Sequence, residues 1–332
     1  MSTTFRGFWV EETKNGTFTQ SVQDLPFDVL PDHDVLIKVS YSSLNYKDSL
    51  SAFGNKGVTR TYPHIPGIDA SGVIAEDTSG TFKPGQPVIV TGYELGSNSF
   101  GGFSEYIRVP VDWVVPLPDE LSLKDAMIFG TAGFTAAYGV HRLQRELIEP
   151  ESGPILVTGA TGGVGSLAVF FLANAGYHVI AATGKMEAEP FLKELGASVV
   201  INRDEVTQVK PSLLLSGIYA GAIDTVGGSM LDAIIRQSQP DGAVACCGNL
   251  LGHQLNTNIY PFILRGVSLL GIDSAICKMP LRTVLWGFLA KQTPDRLPSG
   301  YANFISLDQL PYELERISAG GQTGRVVITL EQ

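Results

Sequence analysis

A glycine-rich turn set between an apolar strand and an apolar helix constrains this chain more than any other stretch. Residues 155–158 are apolar and partly β-branched, which predicts a strand covered on both faces, and residues 166–174 favour a helix. The seven residues between them include four glycines, which bring bare backbone N–H groups to the helix N-terminus. The dipole of a helix favours an anion at that end, and a pyrophosphate fits such a turn.

The turn is therefore predicted to bind a dinucleotide through Gly162, Gly163, Val164 and Gly165. An ordinary glycine-rich loop between a strand and a helix is the alternative, because such a loop alone is weak evidence. The strand before the turn and the helix after it favour the dinucleotide site.

Composition places the chain among globular proteins and argues against some partners. It has 332 residues, of which 44% are hydrophobic and 17% charged, enough for two domains with buried cores. The formal net charge of −10 argues against non-specific binding to nucleic acid or to an anionic membrane surface.

Cysteine usage and the first residues indicate where such a chain works. Three cysteines, Cys246, Cys247 and Cys277, cannot make a disulfide framework and fit a reducing compartment. The first residues lack a basic region followed by an apolar core, and no apolar run reaches the length of a membrane span. We therefore expect a soluble, cytoplasmic protein.

The pattern of predicted elements divides the chain into a β-rich part and an α/β part. Residues 5–120 read as short strands separated by glycine and proline turns, which predicts a partly open barrel. After residue 122, six strands alternate with helices, which predicts a doubly wound parallel sheet. A last strand at 325–330 returns to the barrel. The predicted domains are 1–124 with 275–332, and 125–274.

The residues after the second strand of the sheet indicate which dinucleotide binds. A site selective for NAD carries an acid there, yet no carboxylate occurs between residues 178 and 186. In its place stand Thr183, Gly184 and Lys185, a hydroxyl and an ammonium that suit a 2′-phosphate, and Arg203 follows the third strand. A solvated lysine and arginine are the alternative. The missing acid favours NADPH.

Six short runs carry a family resemblance: 43–48, 65–69, 130–136, 159–165, 222–227 and 261–274. With them the chain resembles the zinc-free, quinone-oxidoreductase-like branch of the medium-chain dehydrogenase/reductase family, which includes the acryloyl-CoA reductases. The likeness covers essentially the whole chain. It implies an α/β protein in which a β-rich, GroES-like, partly open barrel accompanies a doubly wound, six-stranded parallel Rossmann sheet.

The zinc ligands of other members of that family are missing. Where zinc alcohol dehydrogenases have a Gly-His-Glu turn, this chain has Gly67, Ile68 and Asp69, and residues 45–48 lack the first ligand. No cysteine precedes Cys246, so neither a Cys/His site nor a four-thiolate site is expected in the barrel. We therefore predict that the chemistry needs no metal.

The resemblance implies NADPH-dependent reduction of an activated C=C bond in a 2-enoyl thioester such as acryloyl-CoA, or in a small enone or quinone. Asn45 and Tyr46 are expected beside the nicotinamide as donors that stabilise the oxyanion formed on the substrate. Tyr46 is also the candidate acid, although a free phenol titrates near pH ~10, so an orienting or stacking part is equally open. The other residues expected at the cofactor are Thr131, Gly248, Asn249, Ile263, Ser274 and Arg325.

Two other functions stay open at this point, together with the oligomeric state. A quinone reductase uses the same hydride with a flat aromatic acceptor, and a non-catalytic NADPH-binding redox sensor needs the cofactor site alone. The last strand of the sheet, 267–272, has an apolar edge, and an unpaired edge is a liability. The resemblance implies that this edge pairs with a second subunit, so we expect a homodimer.

Overall fold

A computed structural model describes residues 3–292 and 294–330, and the chain divides into two compact units. The barrel unit comprises Met1–Thr131, Ala275–Pro294 and Gly300–Gln332. The sheet unit comprises Ala132–Ser274 and Asp295–Ser299. Each unit is described by itself below, with elements numbered in chain order.

Short strands broken by glycine and proline turns make up most of the barrel unit. They are β1 (Thr4–Glu12), β2 (Phe18–Pro26), β3 (Val35–Ser43), β4 (Asp69–Asp77), β5 (Pro87–Thr91), β6 (Tyr106–Val109), β7 (Val115–Pro116), β14 (Ala302–Ile305) and β15 (Arg325–Thr329). One sheet runs in the order β14-β15-β3-β4-β5-β7, β6 pairs with β3, and β1 and β2 form an antiparallel hairpin. The helices of this unit are α1 (Tyr46–Ala52), α8 (Met279–Ala290) and α9 (Leu310–Ser318).

The predicted β-rich barrel is confirmed, and its core is built from runs of buried residues on its strands. Phe8, Ile37 and Val326 are at most 1% exposed and belong to one core cluster. The sequence did not predict β2 or β14, because each strand buries a single residue and so lacks an apolar face.

The sheet unit is a parallel sheet with helices between its strands. The strands are β8 (Ile155–Thr158), β9 (Val179–Thr183), β10 (Val199–Asn202), β11 (Tyr219–Asp224), β12 (Ser238–Cys246) and β13 (Ser268–Gly271). The helices that connect them are α3 (Gly163–Asn174), α4 (Glu189–Glu194), α5 (Arg203–Thr207), α6 (Gly228–Gln237) and α7 (Tyr260–Arg265). The sheet order is β10-β9-β8-β11-β12-β13 and every pairing is parallel.

This strand order confirms the predicted doubly wound sheet. The chain starts in the middle at β8, adds β9 and β10 on one side, and then adds β11, β12 and β13 on the other. The direction of winding therefore reverses between β8 and β11. Ligands of such sheets bind at this switch point, beyond the carboxyl ends of the strands.

Helix α2 (Leu123–Arg145) consists of two helical segments that meet at one kink. At its start, the Ser122 hydroxyl accepts a hydrogen bond from the Asp125 N–H at 3.0 Å. The kink lies at Gly130, with φ +53°, whereas Gly133 is helical. Within the described ranges, no helix combines the length and the apolar character needed to cross a membrane.

Candidate functional site

The glycine turn between β8 and α3 has the geometry that an anion requires. Helix α3 begins at Gly163, and in this described segment no side chain caps it and no acidic residue occupies its first turn. The first N–H groups of a helix have no partner within it, so those of Gly163, Val164 and Gly165 face outward. Together with the helix dipole, they make an anion site at the carboxyl end of β8.

Close packing requires glycine at position 165, whereas glycine at position 162 leaves space for a ligand. A Cβ at Gly165 would lie 2.3 Å from the Gly159 carbonyl oxygen and 2.8 Å from the Cα of Ala160, closer than real Cβ atoms approach. A Cβ at Gly162 would meet only the Gly159 carbonyl oxygen, at 3.3 Å. A side chain at position 162 would therefore occupy space that a bound pyrophosphate needs.

The carboxyl end of β9 carries a hydroxyl and a guanidinium where an acid would select NAD. Thr183 is buried, and its Oγ1 accepts a hydrogen bond from the Lys185 N–H at 3.0 Å. The Arg203 side chain lies over Gly184, where an added Cβ would be 3.1 Å from Nε and 3.2 Å from Cζ. The carboxylate of Asp204, 4.0 Å from Arg203, is as exposed as the guanidinium, so this pair contributes little. The structure thus brings all four predicted residues to one end of the sheet.

A cavity of about 570 Å³ opens at the carboxyl ends of β12 and β13. Its lining includes Gly248 and Asn249, and it is completed by Leu231, Cys246, Cys247, Gly271, Ile272 and Asp273. Burial raises the pKa of the Cys247 thiol to about 12 and raises that of Cys246 as well. Both are therefore neutral thiols near neutral pH.

Asp224 supports this end of the sheet, and the sequence analysis did not single it out. It is fully buried at the end of β11, and its carboxylate accepts hydrogen bonds from Thr158 Oγ1 at 2.6 Å and the Gly227 N–H at 2.8 Å. The pKa of Asp224 is raised, because the effect of burial is larger than that of these hydrogen bonds, which lower it. The carboxylate ties the end of β8 to the loop after β11, and an acid within the apolar run 219–226 was the available signal.

Ser274 and Ile263 lie in different parts of the sheet unit. Ser274 follows β13, and its Oγ accepts a hydrogen bond from Thr135 Oγ1 at 2.8 Å. Ile263 is 63% exposed on α7, near Arg265, whose Nη1 donates to the Ser238 carbonyl oxygen at the amino end of β12. The carboxyl ends of the strands form the opposite edge, so the structure does not bring Ile263 to the other predicted residues. The sequence analysis had not predicted α7.

In the barrel unit, Asn45 and Tyr46 stand at the start of α1. The Asn45 N–H donates to Asp48 Oδ2 at 2.7 Å. Its Nδ2 donates to the Ser43 carbonyl oxygen at 3.1 Å and to Asp69 Oδ2 at 2.8 Å. Both amide hydrogens are thus engaged with protein acceptors, and this geometry suits a positioning part better than the predicted donor to substrate. Tyr46 is 41% exposed.

Thr131 and Arg325 also meet at Asp69. Thr131 donates to the Asp69 carboxylate from its N–H at 2.9 Å and from Oγ1 at 2.5 Å. Arg325 is 2% exposed, and its guanidinium donates to the Leu44 carbonyl oxygen at 3.0 Å and to Ser43 Oγ at 2.9 Å. The described contacts of Arg325 thus lie within the barrel unit. Its expected contact with the cofactor stays a prediction.

The described residues offer no cluster of metal ligands. Among them, no three His, Cys, Asp or Glu side chains lie close enough together to hold a metal ion. The residues at the sheet's carboxyl edge fit a dinucleotide instead. The bare N–H groups at the start of α3 suit a pyrophosphate, the guanidinium of Arg203 suits a 2′-phosphate, and glycine at position 162 leaves open space.

Comparisons with known proteins agree with this architecture. The sequence pattern of the alcohol dehydrogenase GroES-like domain matches residues 31–119, and that of the zinc-binding dehydrogenase matches residues 163–285. The chain is 45% identical over 331 residues to the putative quinone oxidoreductase YhfP of Bacillus subtilis, covering 99% of this chain and all of that protein. It is 41% identical to the probable acrylyl-CoA reductase AcuI of Escherichia coli, covering 96% of this chain and 97% of that protein.

Solved structures show the same likeness. The yhdH oxidoreductase of Salmonella enterica, in complex with NADP, superposes with a TM-score of 0.95 at 40% identity over 98% of this chain and all of that one. The Bacillus subtilis protein yhfP, with NAD bound, superposes with a TM-score of 0.95 at 44% identity over 99% of this chain and all of that one. The chain therefore belongs to the medium-chain dehydrogenase/reductase family, within its quinone-oxidoreductase-like branch.

Proposed function

We propose that this protein is an NADPH-dependent reductase of activated C=C bonds, with 2-enoyl thioesters such as acryloyl-CoA or small enones as substrates. The observation that carries the proposal is the carboxyl edge of the sheet unit. There, the uncapped N-terminus of α3 faces the same edge as Arg203 and no acid ends β9. The similarity to an acrylyl-CoA reductase and to a structure in complex with NADP supports the substrate class and the cofactor.

The proposed cofactor contacts divide by chemistry. The N–H groups of residues 163–165 hold the pyrophosphate, and Gly162 leaves it room. Arg203 and Lys185 neutralise the 2′-phosphate, with Thr183 and Gly184 beside them. Gly248, Asn249 and Ser274 bound the remainder of the cofactor. Bound NADPH supplies a hydride, and the residues of the chain bind the cofactor and the substrate.

We propose that Tyr46 donates a hydrogen bond to the substrate. Its exposed phenol carries an O–H donor, which is suited to stabilising the oxyanion that forms when the C=C bond of a thioester or enone gains a hydride. Asn45 accompanies it as the residue that holds the start of α1. The domain assignment follows: residues 1–124 and 275–332 are the proposed catalytic domain, and residues 125–274 the proposed dinucleotide-binding domain.

Quinone reduction is the second candidate function, since the relative YhfP carries the name of a putative quinone oxidoreductase. A non-catalytic NADPH-binding redox sensor is the third, and it predicts binding without turnover. All three are separated by incubating the purified protein with NADPH and acryloyl-CoA, an enone or a quinone in turn, and following the loss of NADPH absorbance.

We expect acryloyl-CoA or the enone to be reduced with a higher kcat/KM than the quinone, and the rate to persist in a strong chelator. A higher kcat/KM for the quinone would replace the leading proposal with the second. Binding of NADPH without turnover of any acceptor would leave the sensor, and no binding of NADPH would refute all three.

We further propose a homodimer that works in the cytoplasm. Strand β13 ends the sheet, and Leu269 on it is 36% exposed, so a second copy pairing there would cover an apolar edge. Three free cysteines suit a reducing compartment. Light scattering tests the first point: we expect twice the monomer mass, and a Leu269→Lys variant at monomer mass.

A further inference from the structure

Asp69 is a fully buried carboxylate at the start of β4 to which the proposed function gives no task. It joins three residues that the sequence analysis expected at the active site. We call the group around it the Asp69 cluster, which consists of Ser43, Asn45, Asp48, Asp69, Thr131 and Arg325.

The Asp69 carboxylate accepts four hydrogen bonds from three residues. Its Oδ2 accepts from Ser43 Oγ at 2.6 Å, Asn45 Nδ2 at 2.8 Å and the Thr131 N–H at 2.9 Å. Its Oδ1 accepts from Thr131 Oγ1 at 2.5 Å. A buried carboxylate is stable when its lone pairs accept hydrogen bonds in this way. Removing the whole carboxylate would leave these four donors without that acceptor.

The kink of α2 is shaped around this carboxylate. At Gly130 the helix turns through φ +53°, which frees the N–H of Thr131 to point at Asp69. A Cβ at Gly130 would lie 2.5 Å from Asp69 Oδ2 and 2.3 Å from Ser43 Oγ. The backbone therefore approaches the carboxylate as closely as glycine allows.

The cluster fixes the orientation of the Asn45 amide. A carboxylate only accepts hydrogen bonds and a guanidinium only donates them, so Nδ2 must face Asp69 and Oδ1 must face Arg325, whose Nη1 is 3.4 Å away. The second hydrogen of Nδ2 goes to the Ser43 carbonyl oxygen. Asn45 cannot turn without breaking these bonds, and the next residue in the chain is Tyr46.

Arg325 and Asp48 complete the charge balance of the cluster. Arg325 Nη2 lies 4.0 Å from Asp69 Oδ2, and both side chains are at most 2% exposed. Asp48 accepts hydrogen bonds from the N–H groups of Asn45 and Ile68, at 2.7 and 2.9 Å. Burial, and then the neighbouring Asp69, raise the pKa of Asp48 to about 7. The positive charge of Arg325 therefore balances mainly the negative charge of Asp69.

We infer that Asp69 is a positioning residue for the reduction proposed above: through Asn45 it fixes the start of α1 and so the direction in which Tyr46 presents its phenol. The inference rests on the proposed function. Being fully buried, Asp69 touches neither substrate nor cofactor and acts through Asn45. A displacement of about 1 Å can cost a reaction roughly 100-fold, so loosening Tyr46 lowers kcat. The proposed NADPH contacts belong to residues 162–203, 248–249 and 274 of the sheet unit, whereas the cluster belongs to the barrel unit, so we expect NADPH affinity to be retained.

The test is an isosteric substitution with a matched control on the same strand. Asp69→Asn removes the charge and one acceptor oxygen. Asp77→Asn makes the same change at the other end of β4, where the carboxylate accepts hydrogen bonds from the turn residues Ser79 and Phe82. We expect Asp69→Asn to lower kcat at least about tenfold and to keep the Kd for NADPH within about twofold. Asp77→Asn should keep both values.

A double-mutant cycle separates action through Asn45 from an independent effect. If Asp69 works through Asn45, the variant Asp69→Asn/Asn45→Ala has a kcat no lower than that of the more impaired single variant. Should Asp69→Asn not fold, Ser43→Ala removes one donor to the same carboxylate, and we expect its kcat to fall at least about threefold with the NADPH Kd unchanged.

Two results would overturn the inference: a kcat within about twofold of the wild type in folded Asp69→Asn or Ser43→Ala, or a double variant whose loss equals the product of the single losses. Amide hydrogen exchange decides the matter if the wild type reduces none of the substrates, which would be a failure of the proposed function alone. Exchange of residues 45–50 should then be at least about tenfold faster in Asp69→Asn than in Asp77→Asn. Equal exchange would refute the positioning.

Discussion

His64 is a buried imidazole that the folded chain keeps neutral. It is 2% exposed and lies between the rings of Tyr62 and Phe100, with centroids 6.2 and 5.8 Å away. Its Nε2 has no hydrogen-bond partner among the described residues. Burial lowers the pKa of His64 from 6.5 to about 4, although a backbone hydrogen bond with Gly96 acts in the other direction. Acid should therefore unfold the chain in part through this residue.

The size of the effect follows from the two pKa values. The unfolded chain takes up the proton near pH 6.5 and the folded chain only near pH 4, so the stability is intact above about 6.5 and is lost as the pH falls towards 4. Integrated from about pH 7.5 to about pH 4.5, the loss in the free energy of unfolding is about 2.5 kcal/mol.

Denaturant unfolding of the wild type and of His64→Phe at these two pH values measures the loss. Phenylalanine keeps an aromatic ring and removes the titrating group. Asp48, whose pKa is raised to about 7, acts in the opposite sense, because the folded chain then binds the extra proton and gains stability as the pH falls. This contribution cancels in the comparison, so the wild type should lose about 2.5 kcal/mol more than the variant. Equal pH dependence in both proteins would refute the reasoning.

Three further predictions concern the sheet unit. Arg203→Ala and Lys185→Ala should each raise the KM for NADPH at least about fivefold and leave that for NADH within about twofold, since only NADPH carries the 2′-phosphate; equal changes in steady-state kinetics would remove that residue from the site. Cys247, with its pKa raised to about 12, should react with iodoacetamide slowly at neutral pH and faster as the pH rises, as followed by mass spectrometry; rapid labelling at neutral pH would contradict the burial. Gly165→Ala should lower the free energy of unfolding by at least about 2 kcal/mol, because the added Cβ meets backbone atoms. Gly287→Ala in α8, where a Cβ has open space, should raise the free energy of unfolding by about 0.5–1 kcal/mol. Similar values for the two variants in denaturant unfolding would disprove the close packing at Gly165.

Local sequence patterns predicted most of the architecture. The bounds of β8 were predicted to the residue, because an apolar run beside glycines is decided by neighbouring residues. The parallel order of the sheet followed from the alternation of strands and helices. The short helices α5 and α7 were not predicted.

The Asp69 cluster was beyond such patterns because its members are far apart in sequence. Asp69 bonds with Asn45 across 24 residues and with Thr131 across 62, and Ser43 bonds with Arg325 across 282. Each of these residues alone looks like an ordinary polar side chain. Only the closure of the barrel unit by β15, which pairs with β3, brings the guanidinium to the carboxylate. The hydrogen bonds of Asn45 and Arg325 within this cluster could therefore not be predicted from the sequence.

The account's central claim is that the chain moves a hydride from NADPH to the C=C bond of an activated alkene. The most direct measurement uses NADPH deuterated at the transferring position of C4, acryloyl-CoA as acceptor, and mass spectrometry and NMR of the product. The account predicts one deuterium per product molecule, at the β-carbon of propionyl-CoA. A saturated product without deuterium, or no product while the labelled cofactor stays reduced, would contradict it.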